Sequence, residues 1–241
     1  MTLVLVPPGT AALGRPVSID DDEQHHLKVR RITPGAEVEF TDGAGTRGRG
    51  RLLVQGRGLF LEVDSLEQAR LPAPIVLGVG AGDRDRFTWL VEKATELGVT
   101  EIIPLETERT RGVASGLRPE QLDKLRRRAR EVLKQCGGAW APELREPVTL
   151  ETFVRRAEPC ARWLLDAAGD PPPALDPALP ACALVGPEGG LSDTEQSVAL
   201  AHGFVPVTAG PLTLRFETAA LSAAVLIQAA RAGAFTAARL A

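Results

Sequence analysis

Leu184-Val185-Gly186-Pro187-Glu188-Gly189-Gly190-Leu191-Ser192 is the stretch whose reading decides the fold. It starts at the end of an apolar run, Ala181 to Val185, which reads as a buried strand. It finishes at Ser192-Asp193-Thr194-Glu195, a capping box that opens a helix reaching Ala201, with Gly203 as its stop. Strand, glycine-rich turn and capped helix, in that order, form the repeating unit of an α/β sheet. Such sheets bind ligands at the carboxyl ends of their strands. Three glycines, a proline and a glutamate in five residues exceed what a plain turn requires.

The same turn limits the ligand. A phosphate cradle needs amide donors and positive charge, and Glu188 opposes that. Neither GxGxxG nor GxxxxGK[ST] occurs here. A ligand that lacks phosphate or carries positive charge fits better. S-adenosylmethionine, an adenosine joined to a sulfonium and an amino acid, is one such ligand.

Downstream, Phe204 to Val207 reads as a short strand and Ala219 to Ala232 as a long alanine-rich helix. Ala209-Gly210-Pro211-Leu212-Thr213-Leu214-Arg215-Phe216-Glu217-Thr218 joins them, a second strand-to-helix connection. Arg215 and Glu217 have two readings there. They are an ion-pair partner and a helix cap, or they are catalytic, Arg215 meeting phosphate or developing negative charge and Glu217 orienting or accepting a proton.

Upstream, Ile75–Val79, Glu101–Leu105 and Arg162–Asp166 read as further strands. A helix is expected from Asp85 to Leu97, with Phe87, Leu90, Val91, Ala94 and Leu97 on its apolar face. A second opens at Pro119, with Leu122, Leu125, Ala129, Val132 and Cys136 as its stripe. Residues 169–180 hold five prolines and read as a loop. Alternating strands and helices predict a parallel sheet covered by helices.

Residues 1–71 read differently. Val17-Ser18-Ile19, Glu37–Phe40, Arg51–Val54 and Leu59–Val63 are short strand-like runs between glycine and aspartate turns, with a short helix over Asp22–Arg31. They suggest a small β-barrel. Leu71-Pro72-Ala73-Pro74 reads as a linker, so the domains are expected at 1–71 and 72–241.

The chain has 241 residues, 44% hydrophobic, 24% charged, with a net charge of -3. That excludes whole-chain disorder and an overall basic protein. No apolar run reaches membrane-helix length, and the N-terminus lacks a signal peptide's basic region, so the cytoplasm is expected. Cys136, Cys160 and Cys182 are too widely spaced for a disulfide framework or zinc site, and no metal is expected. They are expected to be reduced and to pack as small hydrophobes.

Arginine outnumbers lysine 24 to 4. A GC-rich genome explains such a skew, and so does phosphate recognition. Two stretches suit the second cause. Gly43 to Leu61 contains no acid but holds Arg47, Arg49, Arg51 and Arg57. The helix after Pro119 carries Arg126-Arg127-Arg128-Ala129-Arg130. Each is a solvated face or an RNA-facing surface.

Together these segments resemble the small-subunit ribosomal RNA methyltransferase E family, of the SPOUT class. The resemblance covers nearly the whole chain. His26–Arg31, Pro34-Gly35 and Asp42-Gly43 look like its PUA-like barrel. Glu92–Val99 looks like its KATELGV helix, followed by Pro104 and Glu108-Arg109. Gln135-Cys136-Gly137 and Pro142-Glu143 look like its QCGR…PE segment. Gly186–Leu191 looks like its GPEGG turn, and Arg215–Ala219 is similar to its LRxETA ending. The chain departs at Leu212 and Gly138, where the family has Arg, and at Phe216, where a small polar residue is usual.

The resemblance implies a PUA-like RNA-binding β-barrel and a SPOUT α/β domain with a C-terminal trefoil knot, within about 181–232. It implies methyl transfer from S-adenosylmethionine to N3 of one 16S rRNA uridine, conventionally numbered 1498, by a homodimer without metal. Cofactor contacts are expected from Leu184, Gly186, Pro187, Glu188, Gly189 and Gly190, and from Ala209, Gly210, Leu212 and Leu214. Arg215 and Glu217 are the expected catalytic pair. Arg30, Arg31, Arg47, Arg49, Arg51, Arg109, Arg126, Arg127 and Arg130 are expected to face 16S rRNA of the small subunit. Two alternatives remain: a non-catalytic RNA-binding or ribosome-assembly protein, and a SPOUT ribose 2′-O-methyltransferase.

Overall fold

The computed structural model describes residues 2–239 apart from 57, 81, 111–116 and 157, with the side chains of 234–239 left aside. The expected contributions of Arg57 fall outside the described residues. The chain divides into two compact units. One comprises residues 1–71 with 129–141, the other 72–128 with 142–241.

The first unit holds β1 (Leu3–Leu5), β2 (Pro16–Ser18), α1 (Asp21–Val29), β3 (Glu37–Thr41), β4 (Thr46–Gln55) and β5 (Gly58–Gln68). Among the described residues its sheet runs β1-β3-β4-β5-β2, antiparallel except for the β1–β3 pair. Alternation along the strands sends Val38, Phe40, Leu52, Leu61 and Val63 into one core with Val4, Val17 and Leu27. Each such buried side chain contributes about 2 kcal/mol of transfer free energy. Segment 129–141 belongs here because its polar groups find partners on this sheet. Gly45 N–H donates to Ala139 O, Ala141 N–H to Gly43 O, and Lys134 Nζ to the buried Glu23 Oε2 at 2.7 Å.

The second unit holds β6 (Ile75–Val79), α2 (Arg84–Glu96), β7 (Glu101–Glu106), α3 (Pro119–Cys136, its second half in the first unit), β8 (Glu143–Leu144), β9 (Val148–Thr149) and α4 (Leu150–Val154). It continues with β10 (Ala161–Asp170), β11 (Ala181–Val185), α5 (Asp193–Ala201), β12 (Val205–Val207) and α6 (Phe216–Arg239). Among the described residues the sheet order is β12-β10-β11-β6-β7-β8, with β9 also on β7, and every pair is parallel. The alternation of strands and helices thus gives the expected architecture. Helical spacing in α2 buries Phe87, Leu90, Val91 and Ala94. Gly78 has no side chain for a packing reason: a Cβ there would lie 2.5 Å from the Phe153 ring.

Three local expectations change. Cys136 is exposed rather than part of the apolar stripe of α3, and Leu133 is buried instead. Cys136 sits at the last residue of the helix, where Gly137 leaves it through a left-handed turn. The strand expected at 162–166 extends to Asp170, because a register shift lets Asp170 pair with Val207. The last helix starts at Phe216 rather than Ala219, which puts Glu217 in the first turn, where the helix dipole favours an anion.

Candidate functional site

The carboxyl ends of β10 and β11 open into a cavity of about 250 Å³. One wall is Leu164 to Ala167, where β10 emerges. The second is Val185 to Glu188 with Gly190 and Leu191. The third is Ala209, Gly210 and Leu212 to Leu214, with Phe216 and Ala219 of α6 and Gln196 of α5 completing it.

The first turn is tightly built. Gly190 N–H donates to Pro187 O at 2.7 Å, and Gly190 takes φ +73°, a conformation that favours glycine. The capping box forms as the sequence suggests. Ser192 Oγ accepts from Glu195 N, and Glu195 Oε2 accepts from Ser192 N at 2.9 Å. The other oxygen of that buried carboxylate accepts from Glu108 N at 2.8 Å. One anion therefore fixes the exits of β7 and β11 together. Arg109, next in chain, lies against the turn: a Cβ on Gly189 would be 3.0 Å from its Cδ. The second turn is shaped by Thr208, whose Oγ1 donates to Gly210 O and accepts from Gly210 N.

A third glycine-rich segment, Gly78-Val79-Gly80-Ala81-Gly82, contributes where the sequence reading saw only a strand. Gly80 N–H donates to Val185 O at 2.9 Å. A Cβ on Gly80 would lie 2.7 Å from Pro187 Cδ and 2.9 Å from Pro187 N. Only a bare backbone lets these two strand exits close on each other. Glycine at every second position after an apolar run was the available signal.

The cavity's charges are acidic. Asp166 and Glu188 line it, and among the described residues no Lys or Arg does. Asp166 Oδ1 accepts from Ala168 N, while Oδ2 has no hydrogen bond among the described residues. Apolar walls, exposed backbone groups and two carboxylates suit a cationic, aromatic-bearing ligand and disfavour a phosphate.

The RNA methyltransferase domain family matches residues 69–228, and the RNA methyltransferase PUA domain family matches residues 19–63. Ribosomal RNA small subunit methyltransferase E from Synechocystis is 34% identical, over 88% of this chain and 73% of its own length. The chain belongs to the ribosomal RNA small subunit methyltransferase E family. Its namesake from Neisseria gonorrhoeae, solved with S-adenosyl methionine bound, is 26% identical with a TM-score of 0.84, covering 95% of this chain and 97% of the other. A putative methyltransferase from Legionella pneumophila, in complex with the same cofactor, is 28% identical with a TM-score of 0.80, covering 95% and 98%.

Of the residues expected to hold cofactor, Gly186, Pro187, Glu188, Gly190, Ala209, Gly210, Leu212 and Leu214 of this family member line the cavity, along with Leu184's neighbour Val185. Leu184 itself is buried inside the sheet. The sequence reading missed Asp166, Gln196 and Gly80, which lie on other strand exits and helices. The expected catalytic pair stands apart from the lining. Arg215 is exposed and has no side-chain partner among the described residues. Glu217 is buried and paired with Arg86 of α2.

The expected RNA-facing arginines divide by partner. Arg47, Arg49 and Arg51 alternate on one face of β4 and pair with Glu67, Glu39 and Glu37 on adjacent strands. The acid-free stretch is thus neutralised across the ladder, by exposed pairs worth about 0–1 kcal/mol each. Arg126 donates to Leu144 O and pairs with Asp123, and Arg130 donates to Val6 O and Asp42 O. Those two guanidiniums close backbone carbonyls. Arg30, Arg31 and Arg127 are exposed, with no side-chain partner among the described residues.

Proposed function

We propose that this chain is an S-adenosylmethionine-dependent methyltransferase of small-subunit ribosomal RNA, acting on N3 of the uridine conventionally numbered 1498. The cavity at the carboxyl ends of β10 and β11 carries this reading, because among the described residues its walls are backbone, apolar and neutral polar side chains and two carboxylates, without a cation. S-adenosylmethionine, when bound, supplies an electrophilic methyl group on a sulfonium. The turns at 186–190 and 209–214 would hold it through amides and carbonyls, with Asp166 and Glu188 favouring its positive charge.

The chain's own residues do the remaining work. N3 of uridine bears a proton that must leave, so an acceptor and a stabiliser for the uracil anion are required. Asp166, one of the two carboxylates on the cavity wall, has an Oδ2 with no hydrogen bond among the described residues and is assigned as the acceptor. Arg215, exposed and without a side-chain partner among the described residues, is assigned to a phosphate or the anion. Glu217 orients: its buried carboxylate ties the start of α6 to Arg86. Most of the rate would come from holding N3 in line with the methyl group. Arg30, Arg31 and Arg127 would meet the RNA backbone, with Arg109 beside the turn.

Three finer features go with this reading. Residues 181–232 would thread the family's trefoil knot, supported by β12 returning past β11 to pair with β10. Two copies would pair through α6 and α2, where half-exposed Trp89 and Val225 flank a shallow apolar groove with Leu221 and Leu226. The site of action would be the cytoplasm, in keeping with the lack, among the described residues, of any helix able to cross a membrane.

The test is tritium transfer from labelled cofactor to small ribosomal subunits, followed by mass spectrometry of the digested rRNA. A methylated uracil base is the expected product. Label on a ribose 2′-oxygen would move the chain to a sister activity. Absence of cofactor binding would favour a non-catalytic assembly role.

A further inference from the structure

At the amino-terminal end of the same sheet, opposite the strand exits that line the first cavity, lies another cavity of about 260 Å³. Its walls are largely apolar, from Val76, Phe153, Pro180 and Phe204, and two thiols, Cys160 and Cys182, share it. Cys160 is half-buried, in the residue just before β10. Cys182 is buried inside β11. Cys160 packs against the buried apolar cluster that includes Cys182. Arg162 of β10 also lines the cavity. Its guanidinium is fixed by Val154 O, Arg156 O and His202 O and stacks on Phe204.

These groups form an environment for a thiolate. The Cys182 thiol and the Arg162 charge favour an anion at Cys160, and they outweigh burial and the nearby Glu158. The Cys160 thiol is lowered to about 6, while the deeper Cys182 thiol is pushed up by its neighbour Cys160 and by burial. Arg156, Glu158 and Glu101 are the other charged groups facing the cavity, and they are tied to one another in ion pairs. One thiol is therefore poised as nucleophile and its neighbour as a protonated partner.

We propose that Cys160 is a peroxide-reactive thiol and that Cys182 resolves its oxidised form into an intramolecular disulfide. The Cys160 thiolate attacks one peroxide oxygen, the O–O bond breaks, and the leaving oxygen takes a proton to become water or an alcohol. Cys160 is then a sulfenic acid. The Cys182 sulfur displaces the hydroxyl, which leaves as water with the Cys182 proton. Two thiols lose two electrons and two protons, and the peroxide is reduced. Cys160 lies outside the hydrogen-bonded ladder, so it and not the sheet moves to close the bond. The bond would link β10 to β11, the two strands whose far ends form the first cavity.

Cys136, exposed and distant in sequence, is the internal reference. The full chain is alkylated with iodoacetamide across a pH series and each cysteine is quantified by peptide mass. Cys160 labelling should level off above a midpoint near 6, with Cys136 followed alongside it in the same samples. Hydrogen peroxide should then yield a species lighter by two hydrogens, with a peptide joining 160 to 182. Cys160→Ala should abolish it. Cys182→Ala should leave a sulfenic acid at Cys160 that dimedone traps, and should shift the labelling midpoint upward by about one unit or more. The proposal is overturned if the Cys160 profile follows that of Cys136, or if peroxide consumes Cys136 first and joins chains through it.

Discussion

Glu217 Oε1 accepts a hydrogen bond from Arg86 Nη1 at 3.1 Å, joining the first turn of α6 to the first turn of α2 across 131 residues of sequence. Glu217 Oε2 is buried without a hydrogen-bond partner among the described residues. The carboxylate thus depends on one half-exposed guanidinium. Arg86→Ala should destabilise the α/β unit by about 2 kcal/mol by leaving that charge unpaired. Adding Glu217→Gln should recover part of the loss. Urea unfolding of the single and double variants measures both, and purely additive losses would contradict the pairing.

Gly80 tests how the strand exits close. Alanine there brings its Cβ to 2.7 Å from the Pro187 ring. Pro187 must move, and the cavity wall moves with it. S-adenosylmethionine binding, followed by calorimetry, should weaken at least about tenfold, in line with the roughly 1–3 kcal/mol of overpacking strain. Gly203→Ala serves as comparison: its φ is positive, which that of Gly80 is not, and nothing among the described residues lies within 4 Å of a Cβ there, so it should lose stability while binding stays nearly unchanged.

The arginines of α3 should separate by function. Arg127→Ala should leave thermal stability unchanged, and should lower the slope of log affinity for rRNA against log salt by about 0.7–0.9. Arg130→Ala should instead lower stability by about 1–2 kcal/mol, since its guanidinium donates to Val6 O and Asp42 O. Filter binding over a salt series and thermal melts give both readings.

Glu101 sets a pH dependence. Burial alone would raise its carboxyl, yet hydrogen bonds and charge from Arg156 and Arg145 prevail and hold it below the ordinary 4.5. A carboxylate depressed on folding stabilises above its unfolded value, and that stabilisation is lost as pH falls through the folded value. The stability gap between wild type and Glu101→Gln should therefore be full above pH 4.5 and shrink steadily below it. A gap that stays constant through the acid range would count against the network.

Much of the α/β architecture was legible because its signals are local. The Ser192–Glu195 cap, the apolar face of α2 and the run Ala181–Val185 each follow from neighbours within a few residues. Pieces of little periodicity, such as Leu3–Leu5 and Val148–Thr149, were not legible, since they become strands only through the partners they meet. Of the site, Gly186–Gly190 and Ala209–Leu214 stood out as glycine-rich joints. Asp166 and Gly80 did not, because a strand-end aspartate and a strand-end glycine are common, and only the sheet order puts them beside the turn.

The sequence by itself determined which segments could form strands, helices and backbone-lined turns, because periodicity, caps and glycine act over short range. The tertiary structure alone decided how charges and thiols are shared. It matched the arginines of β4 with glutamates on neighbouring strands, gave Arg126 and Arg130 to carbonyls, buried Glu217 against Arg86, and set Cys160 beside Cys182. Electrostatic partners are chosen by proximity in space. A chain read in one dimension shows how many arginines it has, not which of them remain free for RNA.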